Sequence, residues 1–114
     1  MNFGDLDGLA FTEIRERYAD IFESWMTRPA STRFPNGESF AQMRARVLGV
    51  LELILSRHPK ETIVIVTHAG VIRLMLATAL SMPDDQIFRL AQDYGAINRI
   101  KYFVHGPVVE LMNG

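Results

Sequence analysis

Cysteine is absent from these 114 residues. That excludes a disulfide framework and any thiolate metal site, and it fits a reducing setting such as the cytoplasm. Charge of one sign is also lacking: twelve basic against thirteen acidic side chains leave a formal net charge of −1. Bulk attraction to nucleic acid or to a membrane surface is therefore not expected, and any anion recognition has to be local. No apolar run approaches the ~20 residues that cross a bilayer, and no leading stretch has the layout of a signal peptide. The expected setting is soluble and cytoplasmic, with neither nucleic acid nor membrane as partner. The three histidines, His58, His68 and His105, lack the spacing of metal ligands, so a metal hydrolase gains little support. Repeats and low-complexity segments are missing too. With 48% of residues hydrophobic and no compositional break, residues 1–114 are expected to bury one core as a single domain.

The stretch Thr62-Ile-Val-Ile-Val-Thr-His-Ala-Gly-Val-Ile-Arg73 is the most informative one present. Ile63 to Val66 are β-branched and continuously apolar, as in a strand covered on both faces. His68 falls where that strand should end, and Ala69-Gly70 should open a helix whose free N–H groups and dipole favour an anion. A histidine beside an anion seat suggests phosphate chemistry, although a histidine at a strand end also serves purely structural roles.

Around this stretch the organisation is simple. Residues 1–10 carry Gly4, Asp5, Asp7 and Gly8 and read as an irregular opening, after which Thr12 can cap a helix with Glu13 in its first turn. Ile14, Tyr18, Ile21, Phe22 and Trp25 recur at helical spacing and should pack inward. A loop follows over about residues 28–38. Ser39-Phe-Ala-Gln42 then offers a capping box for a helix with Phe40, Met43, Val47, Val50, Leu51 and Ile54 on its apolar face, ended near Arg57 by His58-Pro59. The helix Gly70 to Leu80 is apolar nearly all round and should be covered. Its one charge, Arg73, opposes the dipole in the first turn and should pair with a carboxylate. Met82-Pro83-Asp84-Asp85 makes a turn, with a short strand expected near Phe88 to Leu90. Ala96 to Val104 and Val108 to Met112 read as paired strands about His105-Gly106, with Pro107 confining the last one to an edge. The class is α/β, a layered sheet with flanking helices and right-handed crossovers.

Three motifs carry a resemblance. Thr67-His-Ala-Gly-Val-Ile-Arg73, Pro35-Asn-Gly-Glu-Ser39 followed by Arg44 and Arg46-Val47, and Asn2-Phe-Gly-Asp-Leu-Asp-Gly8 resemble, in order and spacing, motifs of the histidine phosphatase (phosphoglycerate-mutase-like) superfamily. Within it the chain is most similar to small bacterial phosphatases of the α-ribazole and broad-specificity type. The resemblance implies a phosphoglycerate-mutase-like fold without its N-terminal strand, no cofactor or metal, and a ping-pong phosphoryl transfer. In that reaction a histidine from an N-terminal Arg-His-Gly motif attacks phosphorus, a carboxylic acid protonates the leaving alcohol, and water releases phosphate. His68 matches the second family histidine, which with the N–H of Ala69 and the turn at Gly70 would steady charge on the phosphoryl oxygens.

The nucleophile motif and a later phosphate-clamping arginine have no match in this sequence, and the position of the general acid would fall immediately before Met1. The chain is therefore expected to be the C-terminal portion of such a domain, inactive alone, binding a small phosphorylated substrate or inorganic phosphate. Loss of a central strand should favour a homo-oligomer. Asp5 and Asp7 are the nearest carboxylates to the missing acid, but a turn about Gly4 and Gly8 already accounts for them. Glu38 either supports the site or favours the start of the Ser39 helix. Arg28, Arg33 and Phe34 lie in the loop that the resemblance sets over the pocket, where they would shape leaving-group preference. The other reading is a non-catalytic module that binds phosphate or a partner through the remnant site.

Overall fold

Ser39 and Gln42 begin the longest helix as their spacing predicts. The Ser39 N–H donates to Gln42 Oε1 at 2.8 Å and the Gln42 N–H to Ser39 Oγ at 3.2 Å, a reciprocal cap that satisfies two otherwise orphaned donors. The computed structural model describes residues 2–114 and divides into two compact units, Met1–Arg57 and His58–Gly114. In the first, a 3-10 turn at Gly4–Leu6 precedes α1 (Phe11–Arg17) and α2 (Ala19–Thr27), and a second at Pro29–Ser31 lies between α2 and α3 (Phe40–Arg57). In the second, α4 (Ala69–Ala79) is followed by a 3-10 helix at Asp84–Arg89 and the strands β1 (Arg99–Phe103) and β2 (Gly106–Leu111).

The core of the first unit is Leu6, Pro29, Phe34, Phe40 and Met43. Phe34, in the loop after Pro29–Ser31, has a buried ring that sits edge-on to Phe3 at 5.0 Å and to Trp25 at 5.3 Å. Ring pairs of this kind add to area burial. The single helix expected from Thr12 onward is two helices. Ala10, extended, takes the capping place, accepting the Ile14 N–H at 3.0 Å. Tyr18, at φ −131° and ψ 47°, closes α1 and opens α2. Ile14, Tyr18, Ile21, Phe22 and Trp25 are half-buried, not fully covered. Ile14, Phe22 and Trp25 help line an apolar hollow of about 260 Å³ with Phe3, Leu6 and Phe11. On α3, Phe40 and Met43 are buried while Val50 is exposed, so the packed face is narrower than the periodicity implied.

In the second unit Leu74, Leu76 and Ala77 of α4 are buried together with Ile87 and Leu90. The helix ends in a Schellman-type closure: the Met82 N–H reaches Ala77 C=O at 2.8 Å and the Ser81 N–H reaches Thr78 C=O at 3.2 Å, with Ser81 at φ 56°. Asp84 to Arg89 winds as 3-10 helix where a strand was expected at Phe88 to Leu90, because Pro83 fixes its start and the Gln86 N–H turns back to the Pro83 carbonyl at 2.9 Å. β1 and β2 form the expected antiparallel hairpin, with Tyr102 facing Pro107 and Phe103 facing Gly106, and His105 lies exposed at the turn. The class is mixed α/β. The run Ile63 to Val66 joins no ladder among the described residues.

Candidate functional site

His68 is exposed at the cap of α4 with φ −93° and ψ 162°, and its carbonyl accepts the Ile72 N–H at 3.1 Å. Its imidazole makes no capping bond to the helix, so the ring is free to meet a ligand. The first-turn N–H groups of a helix have no intrahelical acceptor, and here they belong to Ala69, Gly70 and Val71. Beyond its chain neighbours and its own helix, no atom lies within 4 Å of where a Gly70 Cβ would stand, so this side of the helix is open. The sequence set His68 at the end of a strand; no strand precedes it among the described residues, and it stands at the start of α4.

Arg73 was expected to pair with a carboxylate. Its Nε instead donates to the Leu90 carbonyl at 2.7 Å, and its guanidinium lies 5.4 Å from the Phe88 ring centre. The main-chain carbonyl and the ring face offset the desolvation of a half-buried cation. Arg73 thus ties α4 to the segment after Asp84–Arg89.

Glu38 belongs to the first unit, where it clasps the chain start. Its Oε1 accepts the Asn2 N–H at 3.0 Å and the Arg46 guanidinium at 2.9 Å, and its own N–H reaches the Asn2 carbonyl at 3.0 Å. Burial alone would raise the Glu38 pKa, but the Asn2 N–H and the Arg46 charge together bring it below the usual carboxylate value. This Asn2 clasp carries no strong sequence signal beyond an Asn two residues before Gly4. Since the folded pKa is depressed, the clasp contributes stability at neutral pH and loses it as pH falls below the ordinary value of about 4.3. Glu38→Gln is expected to cost about 1 kcal/mol at pH 7 and to flatten the stability slope between about pH 5 and 3. Urea midpoints measured across that range check it.

Asp5 and Asp7 are engaged in the turn. Both Asp5 carboxylate oxygens accept from Asn36 Nδ2 at 3.1 Å, and Asp7 Oδ1 accepts the Phe3 N–H at 3.3 Å. Arg33 bridges to Ser39 through the main chain with its side chain exposed, and Arg28 is exposed as well. Among the described residues no three His, Cys, Asp or Glu side chains converge as a metal ion requires. Nor is any helix among them long and apolar enough to cross a membrane.

The profile of the histidine phosphatase superfamily (branch 1) matches residues 1–114. Phosphoserine phosphatase 1 of Hydrogenobacter thermophilus is 33% identical over 82 residues, 72% of this chain and 39% of that protein. The solved structure of Bacillus stearothermophilus YhfR superposes with a TM-score of 0.86 at 27% identity, over 96% of this chain and 55% of that one. The α-ribazole phosphatase of Shigella flexneri shares the fold with a TM-score of 0.82 at 23% identity, over 100% of this chain and 56% of that one. The chain therefore spans well under half of its curated relative and little more than half of the solved structures it matches. With all 114 residues covered by one profile, and the Thr67–Arg73 and Pro35–Ser39 motifs folded as described, the chain belongs to the histidine phosphatase superfamily.

Proposed function

We propose that this chain supplies the phosphate-holding part of a phosphomonoester hydrolase that works through a phosphohistidine. The observation that carries the reading is the start of α4, where exposed His68 stands beside the open N–H groups of Ala69 and Gly70. A phosphoryl group seated there meets an imidazole donor and the positive end of the helix, the field that developing charge on its equatorial oxygens needs.

In the reaction a histidine from an Arg-His-Gly segment attacks phosphorus. The bond to the leaving alcohol breaks as an acid protonates that oxygen, and water then attacks the phosphohistidine to give phosphate and the free histidine. His68 donates to the transferring group throughout and forms no bond to it. Glu38, through Asn2 and Arg46, holds the turn that precedes α1. Since residues 1–114 contain no Arg-His-Gly, the chain acts within a longer or complemented protein. The names of the relatives, a phosphoserine phosphatase and an α-ribazole phosphatase, support a small phosphorylated substrate. Neither metal nor cofactor is part of this reading, nor is nucleic acid or membrane, and its setting is the cytoplasm. The missing nucleophile equally supports a second reading, a non-catalytic phosphate-binding or interaction module.

The hydrolase and the phosphate-binding module both need the anion seat. Titrating phosphate or vanadate while following the imidazole protons is expected to shift His68 at millimolar concentrations, weakening as salt rises through the Debye regime. His58 and His105 should stay put. Shifts at those two without one at His68 would remove the seat and the proposal with it.

A further inference from the structure

Asn36-Gly37 is a dipeptide with a chemistry of its own. Asparagine is a thermally labile side chain, and a following glycine has no Cβ to shield its main-chain nitrogen. That nitrogen can attack the asparagine amide carbon: the Gly37 N to Asn36 Cγ bond forms, the Cγ–Nδ2 bond breaks, and ammonia leaves with the Gly37 proton. Water then opens the cyclic imide at either carbonyl. One product is aspartate at position 36, and the other is isoaspartate, whose main chain is longer by one methylene.

The fold engages both reacting groups. The Gly37 N–H donates to the Phe34 carbonyl at 3.0 Å, closing a turn in which Pro35 precedes Asn36 at φ 55°. Asn36 Nδ2 donates to both Asp5 carboxylate oxygens at 3.1 Å, although Asn36 is exposed and water reaches its amide. The products do not suit this site. A Cβ on Gly37 would collide with the Gly4 nitrogen and the Asn2 carbonyl oxygen, so an added methylene in the main chain has no room. Aspartate at 36 keeps the chain length but sets a second carboxylate against Asp5, with like charges where a donor met an acceptor. Glu38, one residue beyond Gly37, holds Asn2 and Arg46 and would be drawn away with the turn.

We propose that Asn36-Gly37 is a modification site, closed while Asp5 grips the Asn36 amide, whose deamidation releases residues 2–6 from the 35–39 motif. Asn113-Gly114 shares the local pattern, with Asn113 at φ 57° and its amide 3.3 Å from Asp93 Oδ2. Its surroundings differ. A Cβ on Gly114 would meet only the end of the Leu111 side chain, which can turn aside, so deamidation there parts no backbone segments.

The full 114-residue chain is kept in mildly alkaline buffer, sampled over time and digested with trypsin, and the peptide of residues 34–44 is weighed for conversion of amide to acid. The peptide of residues 102–114 reports Asn113 separately. A synthetic peptide of residues 34–44 is expected to convert at least about tenfold faster than the same residues in the folded chain, because there the turn must open first. Asp5→Ala should raise the folded rate by about threefold or more, and Asp5→Asn, which keeps one acceptor oxygen, by less. Trp25 emission confirms that each variant is folded. Where Asp5→Ala is not, Asp5→Asn carries the comparison and must itself exceed the native rate. In urea, Asn36→Asp should lower the midpoint by ~0.5 M or more. Adding Asp5→Asn to it exchanges donor and acceptor across the same contact and should restore most of the loss. Conversion in the folded chain as fast as in the peptide, a rate indifferent to Asp5, or Asn36→Asp at the native midpoint would each overturn the proposal. So would a loss that Asp5→Asn leaves unrepaired, since the damage would then not lie in the charge facing Asp5. These readouts follow amide chemistry and turn stability, and they stand apart from the anion seat.

Discussion

Purified as residues 1–114 alone, the chain is expected to hydrolyse a generic aryl phosphate no faster than buffer. His68 sits at a helix start where donors suit phosphoryl oxygens, but stabilising charge accelerates a transfer only when something attacks. His58 faces Glu61 at 3.3 Å and His105 stands at a hairpin turn; neither lies in an Arg-His-Gly segment. In enzymes whose residues act as a unit, removing the nucleophile costs on the order of a million-fold in turnover, and removing a further member then changes little. A steady-state assay with His68→Ala as control checks both parts. Turnover above background that disappears in His68→Ala would show that the described residues already form a complete site.

What the sequence disclosed follows from how local each signal is. The cap at Ser39 and Gln42 and the stop at Arg57 depend on side chains within a few residues, and both stand as read. The hairpin about Val104 and His105 is equally local. His68 at the start of α4 was legible because a strand-like run, a histidine and small residues adjoin in sequence. Arg73 was misread because its partner is not a neighbour. The Leu90 carbonyl lies seventeen residues from Arg73, and periodicity says nothing of a main-chain acceptor. Phe34 stands in a loop as Pro35-Asn-Gly announces, but periodicity could not show that Phe3 and Trp25 hold its ring. The break at Tyr18 has neither Gly nor Pro to announce it. The run Ile63 to Val66 shows the deepest limit: a strand is defined by its neighbours, and composition alone cannot supply them.

Gly4→Ala is expected to be among the most destabilising single changes in the first unit. Gly4 has φ +57°, and a Cβ built there would collide with the Pro35 carbonyl oxygen, the Gly37 nitrogen and the Asn36 carbonyl carbon. All of these are backbone atoms, so no side chain can rotate away. Relief requires the two chain segments to part. That surrenders Asp5 N–H to Pro35 C=O at 2.8 Å, Glu38 N–H to Asn2 C=O at 3.0 Å, and the Asn2 N–H to Glu38, bonds worth about 1 kcal/mol each. Left-handed geometry adds a further cost of about 1 kcal/mol for any residue with a Cβ. The sum places Gly4→Ala at about 4 kcal/mol. Gly8 supplies the control, since it has φ +81° but nothing within 4 Å, and Gly8→Ala should cost only about 1 kcal/mol. Trp25 is the chain's one tryptophan, and it packs on Phe34, which in turn packs on Phe3 beside Gly4. Its emission therefore reports the damage directly. Urea unfolding followed at Trp25 should show a large fall in midpoint and a shifted native spectrum for Gly4→Ala, with a small fall and an unchanged spectrum for Gly8→Ala. Equal losses in the two variants would mean that backbone handedness alone, and not the close approach to Pro35 and Gly37, sets the demand for glycine at the start of this chain.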